Sequence, residues 1–512
     1  MNRRDVLKLS SYTLAVASAP AIPAIAANLE SGGSVALWDA MELKFGGPAN
    51  GNPFIDVTVS ATFTQENRSV TVEGFYDGDD VYKIRFMPDK LGEWTWTTAS
   101  NQPALNGKSG AFQCVAAGPD NRGPVSIRDG FHFAYADGAP YVECGTTCYA
   151  WAFQANETQR QTIETLSSSP FNKLRMCIFP KWYQHNRKEP PMYPFPRSGE
   201  QNDYSTFNVA YFQHFDRLIL NLQRIGVQAD LILFHPYDKW DYQSMPADVD
   251  DRYLRYVIAR FSAYRNVWWS LANEFDLMKS KTTADWDRYA RVLGEYDAFD
   301  RLRSIHYSRY PYEYGRGWCT HAGVQDSRMQ LGSQWRSDWR EPVVFDECRY
   351  EGNIASRWGN ISGDAMARRF WQAAAQGCYC GHGETYLNSD DVLWWSHGGV
   401  LHGTSPAKIA FLRKLLEETI AIGPGPIGFT NFNDDPMGAR RGNDSVLFYY
   451  FDEHQPAEGT FVLPDSKTYS AEYIDTIKLT RTPLSGEYSG NANVKLPGAP
   501  WGSLWFREKG LG

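Results

Sequence analysis

Two glutamates follow short apolar runs of the sequence, at positions from which acidic side chains could do chemistry. Glu274 comes directly after Asn273, and Glu347 comes directly after Asp346. Cleavage of a glycosidic bond requires one carboxylic acid that protonates the leaving oxygen and one carboxylate that attacks or activates water. The pair therefore predicts hydrolysis of a sugar linkage, provided that the fold brings the two side chains together.

The elements that must position these glutamates alternate between strand and helix over residues 123–423. The predicted strands are Tyr141–Thr146, Leu174–Phe179, Asp230–His235, Val267–Leu271, Ser304–Ser308, Trp318–Thr320, Val343–Asp346 and Gly377–Gly381. Amphipathic spacing predicts helices over Asn208–Ile225, Asp251–Tyr264, Ala284–Tyr296, Asp364–Gln376 and Pro406–Ile420. Eight strands with helices between most of them predict an α/β fold, a (β/α)8 TIM barrel. The short interval between strands five and six leaves little room for a helix.

A barrel of this kind forms its active site at the carboxyl ends of the strands. Glu274 would end strand four and Glu347 strand seven, so both would face one mouth. Carboxyl groups held about 5 Å apart favour a retaining, double-displacement mechanism. Because like charges repel at that distance, one carboxyl would keep its proton near neutral pH.

Other carboxylates near the predicted strand ends fit a catalytic role less well. By strand alternation Asp346 should point into the opposite layer of the barrel, and Glu351 lies beyond the strand in a loop. Glu384, past strand eight, is predicted to be a hydrogen-bonding partner, and Glu143 lies within strand one.

Histidines and aromatic residues at the strand ends are candidates for substrate binding. His235 and His321 are predicted to bind sugar hydroxyls. The aromatic candidates for stacking on a sugar ring are Tyr307, Trp151, Trp182 and Trp395. Histidines at strands three, five, six and eight could instead form a metal site. Barrel hydrolases of that kind usually carry an H-x-H pair at strand one, and this sequence has none there, so neither a metal nor another cofactor is expected.

Two β-rich segments flank the barrel. Short alternating strands and turn residues over 29–122 predict an N-terminal β-sandwich, and strands return over 424–512 as a second, smaller β-sandwich. Neither segment carries a cluster of strand-end acids. We therefore expect both modules to support the barrel, with sugar binding through Trp94, Trp96 and Trp501 as the alternative.

Residues 1–26 have the pattern of an export signal. Arg3 and Arg4 are followed by an apolar stretch and by a small-residue cleavage site at Ala24–Ala26. The arginine pair resembles a twin-arginine signal, and an ordinary secretory signal is the alternative. Either signal predicts a protein exported beyond the inner membrane, to the periplasm.

The charge balance excludes several classes of protein. The 512 residues include 51 Lys and Arg and 59 Asp and Glu, and removal of residues 1–26 leaves 48 minus 58, or −10. An acidic chain without basic clusters is unsuited to binding nucleic acid. No apolar run is long enough for insertion into a membrane. The aromatic content of 15% suits β-modules and clefts that stack flat ligands, and thus a carbohydrate partner.

The eight cysteines are predicted to fill the core. None forms a C-x-x-C pair with the spacing of a zinc site, and all but Cys114 lie in or just after the predicted strands. A disulfide between Cys144 and Cys148 stays possible, whereas a catalytic thiol is not expected.

The Asn273-Glu274 pair together with Glu347 resembles glycoside hydrolase clan A, whose members are retaining enzymes on TIM barrels. The resemblance implies that Glu274 is the acid/base, Glu347 the nucleophile and Asn273 the residue that binds the sugar 2-hydroxyl. Further motifs resemble a bacterial group within that clan, which has an N-terminal β-sandwich of unknown function and a C-terminal β-domain. These motifs are Arg85–Pro88 with Leu91–Trp94, Phe131–Phe133 with Gly145–Trp151, and Trp394–Gly403.

Three functions follow from these residues. The first is a retaining glycoside hydrolase that cleaves an oligo- or polysaccharide, and the proline-rich loop over Trp182–Asn202 favours exo action from a walled cleft. The alternatives are a non-catalytic carbohydrate-binding protein on an inactive barrel and a metal-dependent barrel hydrolase. The sequence leaves the sugar, the linkage and the oligomeric state open.

Overall fold

A computed structural model describes residues 33–389, 393–418 and 444–510, together with the backbone of short strands at 27–28, 425–426 and 437–441. The predicted export signal, residues 1–26, lies outside the described residues, as does the boundary predicted at 423–424. Across the described ranges, no helix combines the length and the apolar character needed to cross a membrane.

Eight parallel strands form the barrel, as the sequence predicts. In chain order they are Cys144–Thr147, Lys173–Cys177, Gln228–Phe234, Val267–Ala272, Arg303–Ser304, Ala322–Gln325, Val343–Glu347 and Tyr379–His382. The sheet runs in the order 5-4-3-2-1-8-7-6, and a parallel bridge between His306 and Gly323 closes it between strands five and six. Almost every strand residue is buried because helices cover the outer face and side chains fill the interior.

Strand six lies later in the chain than the sequence predicts. The predicted strand Trp318–Thr320 is a loop, in which the backbone N–H of Thr320 donates to the carbonyl of Arg303, and the strand itself is Ala322–Gln325. The small residues of this strand give a weak apolar signal. At Gly323 a Cβ would lie 2.7 Å from a carboxylate oxygen of Asp346, so the fold requires the small residue there.

Seven α-helices of the described chain pack outside the barrel strands. They are Asn156–Ser167, Val209–Arg224, Ala247–Phe261, Thr283–Tyr296, Gly332–Trp339, Gly363–Ala375 and Ser405–Glu417. Five of them confirm predicted helices to within a few residues. The first was missed because its buried face consists mostly of Gln159 and Thr162, which give no apolar stripe. As expected, the described chain has only a 3-10 turn, Tyr314–Arg316, between strands five and six.

A three-stranded meander closes the amino-terminal end of the barrel. Its strands are Val125–Arg128, His132–Tyr135 and Pro140–Tyr141. The ring of Phe133 lies 5.2 Å from that of Trp268 and 5.8 Å from that of His321, measured between centroids. The floor of the barrel is therefore aromatic and closed, which leaves the opposite end as its opening.

The N-terminal module is a β-sandwich with an aromatic core. Its strands are Ala27–Asn28, Ser34–Ala36, Met41–Gly46, Val59–Gln65, Arg68–Tyr76, Val81–Phe86, Gly92–Ser100 and Ser109–Val115. Strand Arg68–Tyr76 pairs with one sheet through its first half and with the other from Gly74 onward. A Cβ at Gly74 would lie 2.8 Å from the carbonyl oxygen of Lys83, so this crossing needs glycine.

The C-terminal module is a second β-sandwich. Its strands are Gly425–Pro426, Met437–Arg441, Val446–Tyr450, Glu458–Val462, Tyr469–Asp475, Thr480–Tyr488, Asn491–Lys495 and Gly502–Glu508. It contacts the barrel where the ring of Trp371 stacks on that of Tyr450 at 5.6 Å and where Arg368 pairs with Asp452. The residue limits predicted for the modules stay a prediction. All eight cysteines are buried free thiols, Cys144 and Cys148 included.

A buried network of charges joins the N-terminal module to the barrel. Arg85 of the sandwich pairs with Glu42 of its own module at 2.9 Å and with Asp216 of a barrel helix at 2.5 Å. Asp216 also accepts from Arg260 of the next helix, which pairs in turn with Asp77 of the sandwich at 2.8 Å. Every charge in this network has a partner of opposite sign, which is the condition under which buried ions are tolerated.

We expect Arg85→Met to lower the free energy of unfolding by about 3–5 kcal/mol, because it leaves buried carboxylates without their partner. Urea unfolding followed by circular dichroism measures the loss. The matched control is Arg68→Met, which removes an exposed pair with Asp89 and should cost less than about 1 kcal/mol. If the two variants lose the same free energy of unfolding, the buried network does not contribute more to stability than an exposed ion pair.

Candidate active site

A cavity of about 560 Å³ opens at the carboxyl end of the barrel. Residues that follow all eight strands line it, as expected for the functional end of this fold. The lining residues are Tyr149, Lys181, Tyr183, Gln184, His185, Tyr237, Glu274, Ser308, Gln325, Asp326, Ser327, Glu347, Cys348, Arg349, Tyr350, Ser356, Trp358 and Trp395. Both predicted catalytic glutamates belong to this set.

Glu274 lies at the end of strand four in a strained backbone conformation. Its φ of 52° and ψ of 52° place it in the left-handed region, which costs a residue other than glycine about 1–2 kcal/mol. Its carboxylate accepts hydrogen bonds from the side-chain amides of Asn273 and Gln325, each at 3.2 Å. Strain that is held in place by such contacts is typical of functional positions.

Glu347 ends strand seven and accepts a hydrogen bond from the hydroxyl of Tyr149. Burial and the nearby charge of Glu274 raise the pKa of Glu347 to about 7, whereas Tyr149, Lys181 and Arg175 act to lower it. The two glutamates are therefore close enough to interact strongly. Glu347 therefore keeps its proton to a higher pH than an ordinary glutamate does.

His306 lies between the two glutamates. Its Nδ1 accepts from the backbone N–H of Glu274 at 3.4 Å, and its Nε2 lies 4.0 Å from a carboxylate oxygen of Glu347. Burial and the charge of Arg175 lower the pKa of His306 well below the ordinary value, so the ring is neutral. With Nδ1 as acceptor, the proton sits on Nε2 and faces Glu347.

An ammonium group surrounded by aromatic rings forms part of the cavity wall. The Nζ of Lys181 lies 3.9 Å from the ring centre of Tyr149, 4.6 Å from that of Tyr237 and 5.0 Å from that of Tyr183. Burial and the nearby charge of Glu274 raise the pKa of the Tyr237 hydroxyl. Lys181 thus places a positive charge beside the glutamate pair without closing the cavity.

A cluster of aromatic side chains from the loops after strands two, seven and eight adjoins this ammonium group. The rings of Trp358 and Trp395 lie 4.9 Å apart, and His185 contacts both of them edge-on. Trp358 remains 38% exposed. Flat apolar faces of this kind are suited to stacking on a sugar ring.

Below the cavity the barrel interior holds a closed cluster of buried ions. The Nζ of Lys173 lies 3.0 Å from both Glu143 and Asp346, and Arg175 contacts Asp346 at 3.0 Å and Asp230 at 3.2 Å. Asp346 and Glu143 are therefore structural ion-pair partners outside the cavity. The cluster also fixes Arg175, whose charge acts on Glu347.

Three of the predicted site residues, Glu274, Glu347 and Trp395, line the cavity, and two others lie directly behind lining residues. Asn273 contacts Glu274 through its amide, and the other atom of that amide, Oδ1, is buried without a protein partner. His235 accepts from the backbone N–H of Tyr237 and bonds the carbonyl of Phe179, so it orients Tyr237.

The other four predicted binding residues lie away from the cavity lining. His321 precedes strand six, because that strand begins at Ala322, and it packs on the barrel floor. Trp151 is buried in the core, and Trp182 lies under the ammonium of Lys239 at 3.6 Å. Tyr307 is buried against His306. For these four, position along the strand did not indicate which way the side chain points.

Several residues of the site were not selected from the sequence. Gln325 was missed because strand six was placed too early, and Tyr237 because it follows its strand by three residues. Tyr149 lies within the motif Gly145–Trp151, which was the available signal. Lys181 and Trp358 come from loops whose conformation the sequence pattern does not specify.

One group in the described part of the chain could hold a metal ion. Potential ligand atoms of Glu351, His382 and Glu384 lie within 4.8 Å of one another. Both carboxylates, however, already accept backbone N–H groups from residues 402–405. The group lies beside strand eight outside the set of lining residues, so it gives no support to a metal centre at the cavity.

Comparison with known families agrees with this geometry. The family described as apiosidase-like, catalytic domain, matches residues 128–404, more than half of the chain. The chain belongs to the apiosidase-like family. Two domains of unknown function flank this match, DUF5060 over residues 34–101 and DUF5605 over residues 434–506.

Solved structures place this apiosidase-like chain among glycoside hydrolases. A structure from Bacteroides vulgatus, provisionally described as a glycoside hydrolase, is 35% identical and covers 94% of this chain and 100% of its own, with a TM-score of 0.87. A family 5 glycoside hydrolase from the same species, 14% identical, covers 75% of this chain and 93% of its own with a TM-score of 0.57, which shows a shared fold. No curated protein matches. The protein is an enzyme, a glycoside hydrolase.

The raised pKa of Glu347 predicts a pH-dependent gain in stability for Glu347→Gln. The ordinary pKa is 4.5 and the folded value is about 7, so the wild type loses stability as the pH rises through this interval. Glutamine does not titrate. We therefore expect the variant to gain up to about 3 kcal/mol relative to wild type between pH 4 and pH 8.

Thermal unfolding at pH 4, 6 and 8 measures this difference. An exposed glutamate, Glu458, provides the control, and Glu458→Gln should show no comparable trend. A difference between Glu347→Gln and wild type that stays constant with pH would show that Glu347 titrates normally.

Proposed function

We propose that this enzyme is a retaining glycoside hydrolase in which Glu274 is the acid/base and Glu347 the nucleophile. The observation that carries the proposal is the pair itself: two carboxylates line one cavity, and burial together with the charge of Glu274 raises the pKa of Glu347. Two carboxyl groups with one proton between them are what double displacement requires.

In the first step Glu274 protonates the glycosidic oxygen while Glu347 attacks the anomeric carbon. The C–O bond to the leaving group breaks, and a covalent glycosyl-enzyme forms. In the second step Glu274, now a carboxylate, takes a proton from water, which attacks the anomeric carbon and releases Glu347. Net configuration is retained because the carbon is inverted twice.

The assignment of roles requires the shared proton to be on Glu274 when substrate is bound. Resemblance to clan A supports this assignment. The hydroxyl of Tyr149 and the charges of Lys181 and Arg175 also favour the anion of Glu347. Their effect opposes the burial that raises the pKa of Glu347 in the free enzyme.

The shape of the cavity supports exo action on an oligo- or polysaccharide. The loop after strand two supplies Tyr183, Gln184 and His185 to one side of the cavity. A wall on that side suits the binding of a chain end better than the binding of the middle of a polysaccharide. An aryl-glycoside panel, with pyranosides and furanosides and with an apioside included because of the family's name, would identify the sugar.

We expect Glu274→Gln and Glu347→Gln each to lower kcat/KM by at least about 10²–10⁴-fold on a natural glycoside. Glu341 provides the matched control, since it is half-buried just before strand seven at the opposite end of the barrel. Glu341→Gln should keep near-wild-type activity. Near-wild-type activity in either active-site variant would remove that residue from the mechanism.

Azide distinguishes the two roles. Glu347→Gly opens space beside the anomeric carbon, and azide attacking there should give an azide adduct of inverted configuration from an activated substrate. With Glu274→Ala, azide replaces water in the second step, and the adduct should keep the configuration of a dinitrophenyl glycoside. A swapped pattern would exchange the roles of Glu274 and Glu347, and inverted product from the wild type by NMR would exclude retention.

We also propose that the enzyme is exported, because Arg3, Arg4 and the apolar stretch after them resemble a twin-arginine signal. Cell fractionation should recover the full-length wild type in the periplasm and Arg3→Lys/Arg4→Lys in the cytoplasm. If both proteins reach the periplasm, the signal is of the ordinary secretory kind. Retention of both in the cytoplasm would contradict export.

A further inference from the structure

Two buried glutamates beside strand eight bind four successive backbone N–H groups. Glu384 accepts from His402 at 2.6 Å and from Gly403 at 2.8 Å, one N–H on each carboxylate oxygen. Glu351 accepts from Thr404 at 2.7 Å and from Ser405 at 3.1 Å, again one on each oxygen. Both side chains are at most 1% exposed. We call this arrangement, Glu351 and Glu384 on residues 402–405, the carboxylate clamp.

The clamp lies at the junction of three segments that reach the cavity. Glu351 follows Tyr350, a lining residue, and Glu384 follows strand eight by two residues; the short strands at Glu351 and Glu384 pair in parallel. Residues 402–405 end the segment that begins at Trp394. Each of the three segments is therefore fixed to the other two by the same two carboxylates.

Trp395 is the cavity residue in the segment that ends at residues 402–405. Its carbonyl accepts from the backbone N–H of Tyr149, and the carbonyl of Ser396 accepts from that of Ala150 at 2.7 Å. These bonds hold the segment at its beginning, and the clamp holds it at its end. The segment that carries the indole of Trp395 is therefore attached at both of its ends.

A glycine makes the clamp possible. A Cβ at Gly403 would lie 2.5 Å from an oxygen of Glu351 and 2.6 Å from an oxygen of Glu384. Any side chain at this position would therefore push both carboxylates away from the backbone. The clamp therefore explains the requirement for glycine at position 403, since Gly403 does not line the cavity.

We propose that Glu351 and Glu384 are positioning residues of the hydrolase, which fix residues 402–405 and thereby hold Trp395 in the substrate cavity. The proposal rests on the proposed function only for the claim that Trp395 binds substrate. The clamp itself can be tested without any substrate.

The structural test uses hydrogen–deuterium exchange of the full chain. Glu384→Gln and Glu351→Gln each replace one acceptor oxygen by an NH₂ group that faces a backbone donor. We expect the amides of residues 402–405, and those of Tyr149 and Ala150, to exchange at least about tenfold faster than in wild type, a change of about 1.4 kcal/mol. Glu341→Gln is again the control and should leave both sets of amides unchanged.

The functional test is the split between KM and kcat on an aryl glycoside. Displacement of Trp395 from the cavity wall removes binding energy that the ground state and the transition state have in common. KM should therefore rise about tenfold, while kcat changes by less than about threefold. Gly403→Ala should give the same split, and it tests the clamp if a glutamate variant fails to fold. Trp395→Ala should raise KM in the wild type but add little in the clamp variants.

Each possible result tests a different part of the proposal. Unchanged exchange at residues 402–405 would overturn the clamp, and faster exchange there with unchanged exchange at Tyr149 and Ala150 would overturn its control of Trp395. Faster exchange at both places with an unchanged KM would overturn the effect on substrate. A wild type without activity on any glycoside would count against the proposed function alone, because the exchange results still decide the clamp.

Discussion

Repulsion between two carboxylates buried in one cavity is the constraint on which the rest of the site depends. Glu274 and Glu347 cannot both be charged near neutral pH without cost, because burial and the like charge of Glu274 disfavour the anion of Glu347. Neighbouring donors and a positive charge reduce this cost. Asn273 and Gln325 donate to one carboxylate, Tyr149 donates to the other, and the ammonium of Lys181 lies beside the pair. Tyr149 and Lys181 thereby oppose the rise in the pKa of Glu347 that burial and the charge of Glu274 cause.

The remainder of the barrel keeps that arrangement rigid. The ion cluster of Lys173, Arg175, Asp230 and Asp346 fills the interior below the cavity, and the meander with Phe133 closes the floor. On the outside, the network around Arg85 ties the N-terminal sandwich to two barrel helices. Charges that would be costly alone are tolerated because each has a partner. In the described part of the chain, both flanking modules contact the barrel, and none of their residues lines the cavity.

Much of the fold and part of the site could be predicted because their signals are local. Apolar runs of strand length and amphipathic helices specify the barrel, and the acidic residue after a strand specifies Glu274 and Glu347. Strand six carried the weakest signal, since Gly323 must be small to admit the carboxylate of Asp346. That error displaced His321 into the predicted site and removed Gln325 from it.

The sequence alone therefore determined the order of elements, the barrel, the flanking β-modules and the two strand-end carboxylates, because each depends on residue type and spacing along one segment. Only the tertiary structure decided which side chains share the cavity. Lys181, Trp358 and Tyr237 are brought together by loops from different strands, and no spacing along the chain encodes a contact between distant loops. The left-handed backbone conformation of Glu274 also depends on the tertiary structure. A residue other than glycine disfavours this conformation, so contacts from the surrounding structure must hold it.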